Sequence, residues 1–186
     1  MNLGLIVEGS KDVATYHHWI RKIRSDISTL QTRQCTRKVK TKFIGFLKEF
    51  ALNPAWQVQK AIVIADSDCN RPDTIEDSLT NRLEGSMPHF PVHIIAIRCK
   101  LETWLLADQN AINEVAQRRG KPHQLGRIEG SLEAKDADRR FRLALTTVGL
   151  PADDTVYSQV AELSNIDVIR QRCPQFRQFE QIVRAC

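Results

Sequence analysis

The sequence predicts an α/β fold, with about four mostly parallel strands flanked by helices and a helical C-terminal extension. Three observations predict it. Short apolar runs suited to buried strands alternate with segments of helical periodicity over the first 110 residues. Polar turns carrying acidic residues follow the strand-like runs. Beyond residue 110 those runs stop and only helical patterns continue. Parallel neighbours need crossover connections, and the crossovers lay helices on both faces of the sheet. The expected organisation is a single domain, an α/β core over 1–110 with a helical extension over 111–186 packed on it.

Taken in order, residues 3–7 form a short apolar run ending in Glu8-Gly9-Ser10, a buried strand followed by a tight turn into a helix. Val13, Tyr16, Ile20, Ile23 and Ile27 then recur at spacings of three and four, predicting an amphipathic helix over 11–27 with Ser10 as its N-cap. A strand is expected over 30–36. A second helix carries Phe43, Phe46, Leu47 and Phe50 on one face, with Pro54 soon after its end. Residues 61–65 are the clearest buried strand and run directly into Asp66-Ser67-Asp68-Cys69-Asn70, a polar loop closed by Pro72. A helix over 74–83, a strand over 91–97 and a helix over 101–107 follow. The last segment, with Phe176, Phe179, Ile182 and Val183, reads as an amphipathic helix that packs back on the domain.

A chain of 186 residues, 42% hydrophobic and 26% charged, has an ordinary globular composition with enough length to bury a core. The apolar runs are too short to cross a bilayer as helices. The net charge of +5 mildly favours a polyanionic partner. Between residues 27 and 48 there is no acid, while Arg33, Arg37, Lys38, Lys40, Lys42 and Lys48 all fall there. That window is either a basic patch for nucleic acid or an ordinary solvated face. Five cysteines without a CxxC pair, and no leader-like start, place the chain in the reducing cytoplasm.

In open parallel sheets, ligands bind beyond the carboxyl ends of the strands, so residues just past those ends converge from distant parts of the chain. Glu8 follows the first strand, Asp66 and Asp68 follow the central one, and Glu102 comes shortly after the fourth. Gathering such charges costs repulsion unless a cation neutralises them, and carboxylate oxygens are the ligands hard Mg²⁺ or Mn²⁺ prefer. In an extended segment Asp66 and Asp68 point the same way and Ser67 the other. Each of these motifs also has a structural explanation: solvated loop acids or helix-capping residues for the DxD, capping or a structural Gly9 for the Glu8-Gly9 turn, and helix-dipole compensation for Glu102 and Asp12. Asp108, six residues after Glu102, falls on another side of its helix. Tyr16 lies on an apolar stripe and reads as core, and His17, His18, Cys69 and Cys99 make no zinc motif.

Three segments, LIVEGSKDVATY, IVIADSDCN and LETWLLAD, together resemble the TOPRIM domain shared by topoisomerases, bacterial primases and OLD-family nucleases. The resemblance is closest to small stand-alone TOPRIM-like proteins related to the OLD group and covers residues 3–108. It implies a TOPRIM-like fold in which Glu8 serves as metal ligand or general acid/base. Asp66 and Asp68 would bind Mg²⁺ or Mn²⁺, and Glu102 would join them as a catalytic acid. Gly9 would offer its backbone to a phosphate, and Arg33, Arg37, Lys38, Lys40 and Lys42 would track nucleic acid, DNA in the first instance. The implied activity is a metal-dependent nuclease working in the cytoplasm. OLD-type proteins are often coupled to an ATPase, and this chain has no GxxxxGK[ST] segment, so an ATPase would be a separate partner protein.

Two other readings stand beside it. One is a metal- or nucleic-acid-binding subunit without catalysis of its own. The other is a metal-dependent phosphatase of haloacid-dehalogenase type, which also uses an Asp-x-Asp after a strand. Against the phosphatase, that family usually places its DxD after the first strand and follows it with Thr or Val, unlike Asp68-Cys69-Asn70.

Overall fold

In the computed structural model, residues 1–36, 39–86 and 88–185 are described. Four strands form one all-parallel sheet: β1 (Asn2–Val7), β2 (Thr29–Gln34), β3 (Lys60–Asp66) and β4 (Val92–Ile97), in the order β2-β1-β3-β4. The connections are helical, as parallel pairing demands. Helix α1 (Ser10–Ile23) joins β1 to β2, α2 (Val39–Leu52) joins β2 to β3, and α3 (Pro72–Leu83) joins β3 to β4. The chain then continues as α4 (Glu102–Leu105), α5 (Gln109–Arg118), α6 (Ala137–Thr147), α7 (Asp154–Leu163), α8 (Ile166–Arg172) and α9 (Phe176–Ala185).

The period-2 geometry of the strands sorts their side chains between two layers. Leu3, Leu5 and Val7 of β1, with Ile62, Ile64, Ile95 and Ile97, face α1 and the C-terminal helices. Ile6, Ala61, Val63, Ala65 and Ala96 face α2 and α3. The helical extension is therefore a wall of the main core. Trp19 and Tyr16 of α1, Trp104 of α4, and Phe176 and Phe179 of α9 form a continuous aromatic cluster, with ring centroids 4.9 to 6.4 Å apart. Tyr16 is core, as its place on the stripe predicts.

Local boundaries differ from the sequence reading in instructive ways. Helix α1 is capped at Gly9, not Ser10, and stops at Ile23; Ile27 is nevertheless buried, brought back by the turn into β2. The helix after β4 is one short turn, α4, because α5 begins anew at Gln109. Asp108, 4% exposed, caps α5 by accepting from Asn110 N at 3.1 Å and also accepts from Asn165 N at 2.8 Å. Its role is structural.

On the α2 side, the absence of a side chain at Gly4 is a packing requirement. A Cβ there would stand 2.8 Å from two ring atoms of Phe50 and 3.2 Å from Val58. Gly4→Ala is accordingly expected to lower the unfolding free energy by roughly 1–3 kcal/mol, the usual cost of overpacking. Urea denaturation of the purified variant measures this, and an unchanged midpoint would show that α2 yields freely.

A carboxylate cleft at the switch between two strand ends

The strand order reverses between β1 and β3: the chain leaves β1 toward β2 on one side and returns to β3 on the other. At such a switch the two adjacent connections run to opposite faces and leave a crevice at the carboxyl ends of the strands. Glu8 and Asp66 border it. The register pairs Ile6 with Val63, so Glu8 arrives level with the end of β3, and Glu8 Oε1 accepts a hydrogen bond from Asp66 N at 3.1 Å.

Beyond the sheet, the β3 and β4 ends stay joined. Ser67 N donates to Ile97 O, Asp68 N to Cys99 O, and Cys99 N to Ser67 Oγ at 3.0 Å. Ser67 is thus buried, but the extended geometry expected to aim Asp66 and Asp68 the same way stops before Asp68, which lies in a turn with left-handed backbone; both acids reach the cleft through that turn and not through strand alternation. Asp68, Cys69 and Cys99 all have positive φ, 50°, 62° and 68°, backbone that non-glycine residues adopt only when held there. A disulfide between Cys69 and Cys99 ties the two loops. No sequence motif pairs these cysteines; sheet pairing 30 residues apart brings them together. Such a bond persists in oxidising surroundings, whereas a reducing cytoplasm would hold two thiols. Cys35 and Cys173 are free and buried.

Glu8, Asp12, Asp66, Asp68 and Glu102 line one open cleft of about 460 Å³, together with Gly9, Lys100 and Leu101 and, from α6, Asp138 and Arg142. The acids are unequal. Asp68 is exposed, with Lys100 Nζ 3.7 Å from its Oδ1. Burial raises the pKa of Glu8, a rise opposed by its hydrogen bond from Asp66 N. Burial, with repulsion from Asp12, Glu8 and Glu102, drives Asp66 well above the carboxylate range. Asp12 is pushed up to about 6, chiefly by burial and then by Glu102 and Glu8, even though it accepts a 2.7 Å bond from Gly9 N. Gly9 N–H is therefore already engaged by Asp12, and the backbone donor expected to meet a phosphate at that residue is occupied. Glu102 Oε1 accepts from the Tyr157 hydroxyl at 2.9 Å.

Comparison with protein-family models, with curated proteins and with solved structures finds no match at all. The donor set is all oxygen and carries buried negative charge without matching buried cations, which suits a hard divalent ion. Among the described residues, no three His, Cys, Asp or Glu side chains stand in a group ready to hold a metal. The acids share a cleft but do not yet close on one point.

The basic window disperses. Arg33 is committed to Glu49 through contacts of 2.6 and 3.0 Å and lies over the Trp56 ring at 4.4 Å, bracing β2 against α2. Lys40 and Lys42 are exposed near the start of α2, and Lys40 is close enough to lower the Glu8 pKa. Arg37 and Lys38 lie outside the described residues. Sequence reasoning passed over Lys100, Asp138, Arg142 and Tyr157 as site residues. Lys100 had an available signal in its place between the fourth strand and Glu102; the other three come from helices with no local motif.

Two measurements follow from these electrostatics. For Asp12 and Asp66 the folded-state pKa lies above the unfolded value, so the stability contribution is fully present below about pH 4 and is lost as pH rises through the folded values. Asp12 alone, shifted from 3.8 to about 6, accounts for a loss on the order of 2 kcal/mol between pH 4 and 7. His17, His18 and His93, their pKa values lowered chiefly by burial, contribute with the opposite sign over the same range, so the measurement is a comparison: metal-free wild type is expected to lose more stability, or gain less, between pH 5 and pH 7 than Asp66→Asn. Identical pH dependence in the two proteins would contradict the burial of these charges. Separately, reduction with dithiothreitol is expected to lower the unfolding free energy by roughly 3.5–4 kcal/mol, as release of a loop of this length implies. Matching urea curves with and without reductant would show that the Cys69–Cys99 bond does not contribute.

Proposed function

We propose that the chain is a metal-dependent nuclease, or a closely related phosphodiester-processing enzyme, acting on nucleic acid, with DNA as the first substrate to test. The observation that carries this reading is the meeting of Glu8, Asp66 and Asp68 in one cleft, at the strand-order switch of a parallel sheet, with two of the three held against the ordinary pKa of their type. These are the residues whose motifs resemble the TOPRIM domain.

Glu8, Asp66 and Asp68 would hold Mg²⁺ or Mn²⁺, with Asp12 and Glu102 as further acids of the same cleft. A bound ion supplies positive charge for a non-bridging phosphate oxygen and lowers the pKa of an attacking water. The chain's own residues do the rest. Glu8, whose pKa burial raises, is suited to holding and returning a proton. Lys100, already 3.7 Å from Asp68, would turn toward a phosphate once Asp68 is otherwise neutralised. Arg142, exposed on the cleft wall with its Nε donating to Asp138 Oδ1 at 2.8 Å, would turn its remaining guanidinium donors to a phosphate oxygen. Lys40 and Lys42 would follow the adjoining backbone.

A second reading is favoured by the acids not closing on one point: the chain is a metal- or nucleic-acid-binding subunit that a separate partner, such as an ATPase, completes. No helix among the described residues is long and apolar enough to cross a membrane. One experiment separates the readings. Purified protein is incubated with plasmid, linear duplex and single strands in Mg²⁺ or Mn²⁺ against EDTA, beside Glu8→Gln and Asp66→Asn. Metal-dependent cleavage reduced at least 100-fold in both variants is the expected result. Metal binding without cleavage favours the partner-dependent subunit, and a folded protein that binds neither metal nor nucleic acid overturns both.

A further inference from the structure

Tyr157 is a fully buried tyrosine of α7, in the segment that the sequence assigns to a packing extension. Its surroundings fix it from several sides. Asp153 caps α7 by accepting from Val156 N at 2.9 Å. Helix α1 grips the far end of α7: Lys22 Nζ donates to Ala161 O and Ser164 O, and Trp19 Nε1 donates to Ser164 Oγ at 2.8 Å. The Tyr157 ring meets Phe141 of α6 edge-on at 4.9 Å, and Lys11 Nζ stands 4.1 Å from the ring centroid. A ring so confined leaves its hydroxyl little freedom. That hydroxyl donates to Glu102 Oε1 at 2.9 Å in a buried setting.

Glu102, by contrast, opens a helix only four residues long, immediately after a loop. Among the described residues, the hydrogen bond found at the Glu102 carboxylate comes from Tyr157, not from α4 itself, and an ionised carboxylate can only accept. The phenol hydroxyl is therefore the donor of this hydrogen bond and the carboxylate its acceptor.

We propose that Tyr157 is a positioning residue for Glu102: by holding Oε1 it directs the second carboxylate oxygen into the cleft, toward an ion shared with Glu8 and Asp66, and makes helix α7 part of the site. This rests on the metal-binding reading given above. The plainer role for a buried tyrosine is packing, with the hydroxyl merely finding a partner. The two roles differ in what they couple. A positioning residue acts through Glu102 and has no further effect on metal binding once Glu102 is changed; a packing residue acts on stability independently of it.

The test is titration of Mn²⁺ by calorimetry into the full chain, as wild type, Tyr157→Phe, Glu102→Gln and the double variant, with a circular-dichroism melt of each. Tyr157→Phe keeps the ring and removes only the donor. The expected result is Mn²⁺ binding weakened about 10-fold by Tyr157→Phe, the loss usual when a hydrogen bond orienting a metal ligand is removed, and no weaker in the double variant than in Glu102→Gln alone. Should Tyr157→Phe fail to fold, Glu102→Asp keeps the charge, draws it back from the hydroxyl and is expected to bind about 10-fold more weakly. Wild-type affinity in whichever single variant is folded, or additive losses in the double variant, would overturn the positioning role while leaving the metal site standing. Absence of Mn²⁺ binding by the folded wild type is a different signature, which removes the metal reading and this inference with it.

Discussion

Parallel pairing of β1 with β3 is the constraint on which the site depends. These strands lie more than fifty residues apart in the chain, and α1, β2 and α2 lie between them. Only their direct pairing, with β2 displaced to the outer edge, sets Glu8 beside Asp66. An antiparallel partner would have sent one of the two acids to the opposite end of the sheet. The same arrangement opens the crevice, because the connections from the two strands depart toward opposite faces.

The arrangement sets packing against electrostatics. Apolar burial on both faces of the sheet leaves Glu8, Asp12 and Asp66 half-buried at the strand ends, and the lost hydration makes ionised carboxylates there costly. The protein eases this only in part. Asp12 accepts from Gly9 N, Glu8 from Asp66 N, and Glu102 from Tyr157, while Asp68 reaches solvent beside Lys100. What remains is a cluster whose negative charge exceeds its local compensation. Under the proposed reading a divalent ion would supply the difference. The cleft would then be a place where folding stability is given up for the capacity to bind, a familiar reason for local rules to fail at functional positions.

The helical extension takes part in both sides of that balance. Phe176 and Phe179 complete the aromatic core over α1 and α4, and Cys173 is buried beside them. From the same half of the chain, Asp138 and Arg142 line the cleft, and Tyr157 hydrogen-bonds Glu102 from behind it. Removal of the extension would therefore uncover the core and open one wall of the site together, so the α/β portion is not a free-standing half.

By itself the sequence determined the alternation of strands and helices, the parallel sheet with helices on both faces, and the core role of Tyr16. It also determined the placement of Glu8, Asp66 and Asp68 at strand ends. These follow from local periodicities of 2 and 3.6 and from which residue comes next after an apolar run, all of which the chain carries within a few positions. Tertiary structure alone decided the rest. Asp108 became a cap for α5 because Asn110 and Asn165 meet it, and Arg33 was taken up by Glu49 and Trp56. Gly9 N–H went to Asp12, and Cys69 met Cys99 across a sheet ladder. Tyr157 reached Glu102 from 55 residues away. None of these partners lies within reach along the chain except Asp12 and Asn110. The physical reason is common to them: a hydrogen bond or covalent bond is decided by separations of a few ångströms in space, which the order of strands and the docking of helices establish and which no local spacing encodes.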